Sequence, residues 1–221
     1  MTAIFHLMRH ADHGHLGRVL TGRTPGVRLS AEGRRQAAGL AARMAGVRLH
    51  ALFASPQDRA RETAEYLAGS THAPLRIAPE LDEIDFGRWS GCSFAELEHD
   101  SGWCRWNEER RSAATPAGET MEIVADRFLG FMKDMRLMFP GRTLGLVTHA
   151  DVIKAAVCRS LGLPFDMLHE FEIAPASVTT VVSCGRDFRV VRLNERPQLP
   201  GDLPAPNVVP RSEAARAEAV A

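Results

Sequence analysis

The 221 residues are 45% hydrophobic and 24% charged, ordinary proportions for a globular chain long enough to bury one sizeable core. Its 27 Lys and Arg balance 27 Asp and Glu, and this formal net charge of +0 disfavours a general nucleic-acid or membrane-surface binder. Four dispersed cysteines without a CxxC pair, no basic-then-apolar leader, and no apolar run near the roughly 20 residues of a membrane span predict a soluble, cytoplasmic protein with reduced thiols.

Residues 3–8 are a short, mostly apolar run closed by Arg9-His10, a pattern that suits a buried strand. Ser30 is placed to cap a helix running to about Ala45, in which Ala37, Leu40, Ala41 and Met44 recur on one face. Residues 49–54 read as a second strand. Ser55-Pro56 reads as the start of a second helix, through about Leu67, with Ser accepting a first-turn hydrogen bond and Pro at the first helical position. Residues 75–77 predict a third strand, and residues 89–118, with three tryptophans and several charges, an irregular excursion placed to cap a substrate. Gly118-Glu119-Thr120 precede a long amphipathic helix ended by Pro140-Gly141, whose stripe of Val124, Phe128, Phe131, Met135 and Met138 reads as core. Residues 143–148 repeat the buried-strand pattern up to His149, and residues 150–161 continue as a helix closed near Gly162 and Pro164. Residues 178–183 and 188–193 read as a final hairpin. The catalytic domain is thus expected over 1–195, with 196–221 a tail rich in Pro, Ala and Arg that offers little to bury. Strands alternating with helices predict a three-layer α/β/α sandwich around an open, mainly parallel sheet, whose ligands sit at the carboxyl ends of the strands. His10 and His149 both fall on that edge.

The chemistry-bearing residues form an ordered set: Leu7-Met8-Arg9-His10, then Ser55-Pro56-Gln57-Asp58-Arg59 with Thr63-Ala64, then Leu81-Asp82-Glu83 before Phe86-Gly87, then Val147-Thr148-His149. On these motifs the chain resembles the histidine phosphatase superfamily, which includes the cofactor-dependent phosphoglycerate mutases, over about residues 3–193. The resemblance implies a phosphoglycerate mutase-like fold and a metal-independent phosphatase that needs no cofactor. It implies that His10 attacks phosphorus, that Arg9, Arg59 and His149 hold the phosphoryl oxygens, and that Glu83 handles the proton. Those residue types suit the reaction. A neutral imidazole is a competent nucleophile, two guanidinium forks offset charge spread over three oxygens, and one carboxyl group can serve leaving alkoxide and attacking water in turn. Arg23, in the 21–26 loop, belongs to a segment the family uses around substrate, and a solvated loop arginine is the plain alternative.

Glu80, Asp82, Glu83 and Asp85 crowd one stretch, and only the Leu-x-Glu match selects Glu83 as proton donor. Arg61 reads as a surface ion-pair partner of its helix neighbours, and His6 as packed and hydrogen-bonded. His13 and His15, with His149 and Asp151, raise a metal-hydrolase alternative that leaves Arg9 and Arg59 unexplained. Trp103, Trp106, Arg105, Arg110 and Arg111 read either as a recognition patch or, more simply, as lid packing. Ala11 and Ala150 stand where many superfamily members carry glycine, and residues 13–16 lack an asparagine that commonly contacts phosphate. The expected partner is a small phosphorylated substrate, with no nucleic acid and no membrane, and a homodimer is left open. A phosphomutase and a non-catalytic phosphate-binding module are the competing functions.

Overall fold

A computed structural model describes residues 2–185 and 187–196, so the predicted tail beyond Arg196 lies outside the described residues. Six strands form one sheet: β1 (Ala3–Arg9), β2 (Ala51–Ala54), β3 (Leu75–Ile77), β4 (Thr143–Thr148), β5 (Val178–Cys184) and β6 (Asp187–Glu195). Their order is β3-β2-β4-β1-β5-β6. The first four run parallel, whereas β5 is antiparallel to β1 and returns through β6 as the predicted hairpin. The helices are α1 (Ala31–Met44), α2 (Asp58–Thr71), α3 (Phe94–Leu97), α4 (Ser101–Glu108), α5 (Met121–Met138) and α6 (Ala150–Leu161). None among the described residues is long and apolar enough to cross a membrane.

Side chains alternate across the pleat, so neighbouring residues of one strand serve opposite cores. Phe5, Leu7, Phe53, Leu144 and Leu146 pack with Val124 and Phe128 of α5 and Val152 and Ile153 of α6. Met8, Leu52 and Val147 face the other way, onto Leu40 and Met44 of α1 and Leu67 of α2. These two apolar layers make the predicted α/β/α sandwich and bring the carboxyl ends of β1 and β4 side by side.

Local signals place most boundaries. Ser30 caps α1 by accepting from Gly33 N at 2.9 Å, Thr120 caps α5, and Gly162, at φ 70°, closes α6. The second helix departs from expectation. It starts at Asp58 with Gln57 at the N-cap and no side-chain cap there, Ser55 Oγ accepting from Gln57 N at 3.3 Å while also bonding His149 and Asp82, and it runs on to Thr71. Strand β2 begins at Ala51, two residues late, since Leu49 closes a turn onto Val47. Residues 89–118 are less irregular than expected: they contain α3, started by a capping box of Ser93 and Glu96, and α4, capped by Asp100. Met138 is 61% exposed and leaves the predicted stripe, the buried face being completed by Met121, Leu129 and Met132. Short 3₁₀ turns at Pro79–Leu81, Gly87–Trp89 and Phe165–Glu170 were not anticipated.

One glycine is needed for a close approach. Ser30 N donates to Asp12 O at 3.0 Å, so the first turn of α1 lies against the loop after β1, and a Cβ at Gly33 would stand 1.8 Å from that same carbonyl oxygen. Gly33→Ala is therefore expected to lower unfolding stability by about 2 kcal/mol or more. A denaturant midpoint equal to the parent's, at unchanged slope, would show that this contact is not tight.

Candidate active site

Parallel pairing of β1 with β4 sets the two histidines next to each other, Arg9 opposite Thr148. His10 N donates to Thr148 O at 2.9 Å, and His149 stands at the N-terminus of α6, so the imidazole centroids lie 5.1 Å apart. Arg59 enters from the first turn of α2, and its carbonyl accepts from Thr63 Oγ1 at 2.7 Å. The same hydroxyl accepts from Ala11 N at 3.0 Å, tying the helix to the loop that follows His10. Glu83 arrives from beyond β3, held by Thr148 Oγ1, which donates to Leu81 O at 2.6 Å.

The hydrogen bonds settle the tautomers. His10 Nδ1 meets Ala11 O at 2.8 Å; a carbonyl only accepts, so Nδ1 carries the hydrogen and Nε2 the lone pair. Arg59 Nε donates to that lone pair at 3.3 Å. Burial first, then the charges of Arg59 and Arg9, hold His10 well below the ordinary histidine pKa, so the ring is neutral at pH 7. His149 Nε2 lies 2.8 Å from Ser55 Oγ, whose own hydrogen goes to Asp82 Oδ1 at 3.2 Å, which leaves Nε2 as the donor nitrogen. His149 Nδ1 then turns toward Arg59 Nη2 at 3.2 Å and Glu83 Oε2 at 3.5 Å. Burial and the charge of Arg59 keep His149 neutral as well.

Arg59 is 1% exposed; its Nη2 donates to Gly22 O at 2.8 Å and its Nη1 has no partner among the described residues. Arg9 Nη1 donates to Ile173 O at 2.7 Å, and its Nε is likewise buried and unpartnered among them. Two buried guanidinium hydrogens left over beside one cavity suit an anion. Burial pushes Glu83 up to about 7 against the opposing pull of Arg59, so both its acid and its ionised form are within reach near neutral pH. Arg9, His10, Arg59, Glu83 and His13 line one cavity of about 180 Å³, closed on the other side by Leu16, Leu20, Phe86 and Phe94.

Of the residues singled out from sequence, Arg9, His10, Arg59, Glu83 and His149 converge. Arg23 does not lie free in solvent. Its Nε donates to Glu83 O at 2.7 Å and its guanidinium meets Asp82 at 3.4 Å, Asp85 at 3.4 Å and Glu119 at 3.3 Å, behind the Glu83 backbone. Ala11 and Ala150 are not among the residues with positive φ, so neither position demands glycine. Arg61 stands 3.9 Å from Asp58, a surface pair, and His6 Nδ1 bonds Thr180 Oγ1 at 3.1 Å. Among the described residues no three His, Cys, Asp or Glu side chains are grouped to share a metal ion. Trp106 is fully buried under Arg110, which reaches Asp151 at 3.2 Å, so these two pack the excursion against the site wall; Arg105 pairs with Glu109 on the surface. The Arg110 pair, with Lys154 and Arg9, outweighs burial and holds Asp151 below the usual carboxylate range. The sequence marks Ser55 only as a helix cap and Asp82 only as an acid-cluster member; the relay in which Asp82 accepts from Ser55 and Ser55 accepts from His149 joins positions far apart in the chain.

A family model described as histidine phosphatase superfamily (branch 1) matches residues 5–196. Phosphoserine phosphatase 1 of Hydrogenobacter thermophilus is 28% identical over 75% of this chain and 80% of its own length. The adenosylcobalamin/alpha-ribazole phosphatase of Escherichia coli is 25% identical over 86% of this chain and 95% of its own. Among solved structures, Bacillus stearothermophilus YhfR superposes with a TM-score of 0.82 at 26% identity, covering 87% of this chain and 97% of that one.

Proposed function

Because the chain belongs to the histidine phosphatase superfamily, branch 1, and is a phosphatase of small phosphorylated metabolites, we propose that it works by two displacements at His10 without a metal ion. The observation that carries this reading is the lone pair of a neutral His10 Nε2 facing two buried guanidinium groups that each have a hydrogen to give. In the first step Nε2 bonds to phosphorus as the ester P–O bond breaks, and protonated Glu83 gives its hydrogen to the departing oxygen. In the second, ionised Glu83 takes a hydrogen from water, whose oxygen bonds to phosphorus as the N–P bond breaks, releasing inorganic phosphate. Arg9 and Arg59 meet the equatorial oxygens and supply the positive charge a metal would otherwise bring, while neutral His149 accepts from Arg59 Nη2 at 3.2 Å and holds that guanidinium in place. A cavity of about 180 Å³ admits the phosphoryl group and a few further heavy atoms.

Phosphate release from a panel of small phosphorylated metabolites, in the presence of a strong chelator, tests the activity. Activity lost on chelation and restored by one divalent ion would overturn the metal-free mechanism. Glu83 carries its own prediction. With its pKa at about 7, the acid form prevails below that pH, so kcat/KM for an alkyl phosphate is expected to fall as pH rises through 7. Glu83→Gln should abolish that limb and slow phosphorylation by the alkyl ester by about 100-fold or more, yet by less than about tenfold for nitrophenyl phosphate, whose leaving group departs unprotonated. Equal losses in single-turnover measurements would make Glu83 a positioning group.

A further inference from the structure

His13 lies in the same cavity, and the two-step mechanism above gives it no task. We propose that His13 touches the transferring phosphoryl group, its Nε2–H donating to one of the nonbridging oxygens. This rests on the reading of His10 as the phosphoryl acceptor.

The loop that carries His13 is held from both sides. Asp12 N donates to Gln36 Oε1 at 3.0 Å, Asp12 O accepts from Ser30 N at 3.0 Å, and Gly14, turning at φ 77°, donates its N–H to Asp12 Oδ2 at 3.0 Å. The ring is buried, 6% exposed, with its centroid 5.4 Å from that of His10. Its tautomer follows from one bond: His15 N donates to His13 Nδ1 at 3.4 Å, so the hydrogen sits on Nε2. Nε2 has no hydrogen-bond partner among the described residues. Nε2 is not among the fully buried unpartnered atoms, so it is open to the cavity that His13 lines with His10, Arg9 and Arg59. Burial and then the charge of Arg59 bring His13 to about 4, so it enters the site uncharged and adds a donor without repelling the two arginines. The same neutrality rules it out as the acid that protonates the leaving oxygen at pH 7.

The test compares His13→Ala with His13→Gln, whose amide nitrogen reaches about where Nε2 stands. His13→Ala is expected to lower kcat/KM by about 10- to 100-fold, equally for an alkyl and a nitrophenyl phosphate, and to weaken inhibition by orthovanadate more than inhibition by inorganic phosphate. His13→Gln should recover most of the loss. Rates within twofold of wild type for both esters, or a loss confined to the alkyl ester, would overturn the proposal. If His13→Ala does not fold, wild-type protein with ¹⁵N-labelled histidine decides: orthovanadate should shift the His13 Nε2–H resonance, and an unmoved signal under saturation would overturn the contact. Wild-type rates in His13→Ala beside an inactive His10→Ala would remove this proposal alone, whereas an active His10→Ala would remove the underlying reading.

Discussion

Arg59→Ala is expected to lower kcat/KM by about three orders of magnitude while the protein remains folded. One guanidinium touches the nucleophile through Nε, His149 and Gly22 O through Nη2, and keeps Nη1 free, so an arriving phosphoryl group finds charge already in place and needing no rearrangement. Arg59 lines the same cavity as His10, which is what sets its free Nη1 apart from the unpartnered Nε of Arg110 in the packed excursion. Truncation does leave Gly22 O without its donor, and some stability is lost with it, of order 1–2 kcal/mol. Stability and turnover therefore have to be measured on the same preparation. Arg59→Lys is the sharper variant: it keeps the charge, lacks the planar fork, and should recover little. Turnover of Arg59→Ala within tenfold of wild type would remove Arg59 from the phosphoryl site.

His10→Ala should have the largest effect of any single change, a loss of turnover to background, because it deletes the atom that bonds to phosphorus rather than one that stabilises charge. Affinity for inorganic phosphate should survive within about tenfold, since Arg9 and Arg59 remain; a nucleophile contributes little to ground-state binding. Calorimetric titration with phosphate separates the two quantities. Residual catalysis well above background would mean that water attacks phosphorus directly, with His10 merely placed nearby.

Much of this arrangement is legible along the chain where a strong local signal meets a short-range need. Strand β4 and helix α6 fall where they were expected, since an apolar run, a histidine and a closing glycine leave little freedom. The start of α2 was misread because Ser55 has two uses, and the deciding partners, Asp82 and His149, lie 27 and 94 positions away. The helices inside residues 89–118 carried a readable sign, Ser93-x-x-Glu96, masked by the charges and tryptophans around it. The place of His13 in the cavity shows locally only as its nearness to His10 and His15 in sequence. Its loop is set by α1 docking against residues 12–14, a contact that a Cβ at Gly33 would obstruct. Arg23 shows the converse: its surroundings of Asp82, Asp85 and Glu119 come from three separated segments, which no window of sequence displays together.

The central claim is that phosphate passes through a covalent bond to His10 Nε2. Rapid acid-free quenching of wild-type enzyme with ³²P-labelled substrate, followed by proteolysis, tests it most directly. The account predicts a label that is stable to alkali and labile to acid, formed faster than steady-state turnover, and confined to the peptide that contains His10. Burst-free turnover with no trapped label, or a label on any other residue, would contradict it.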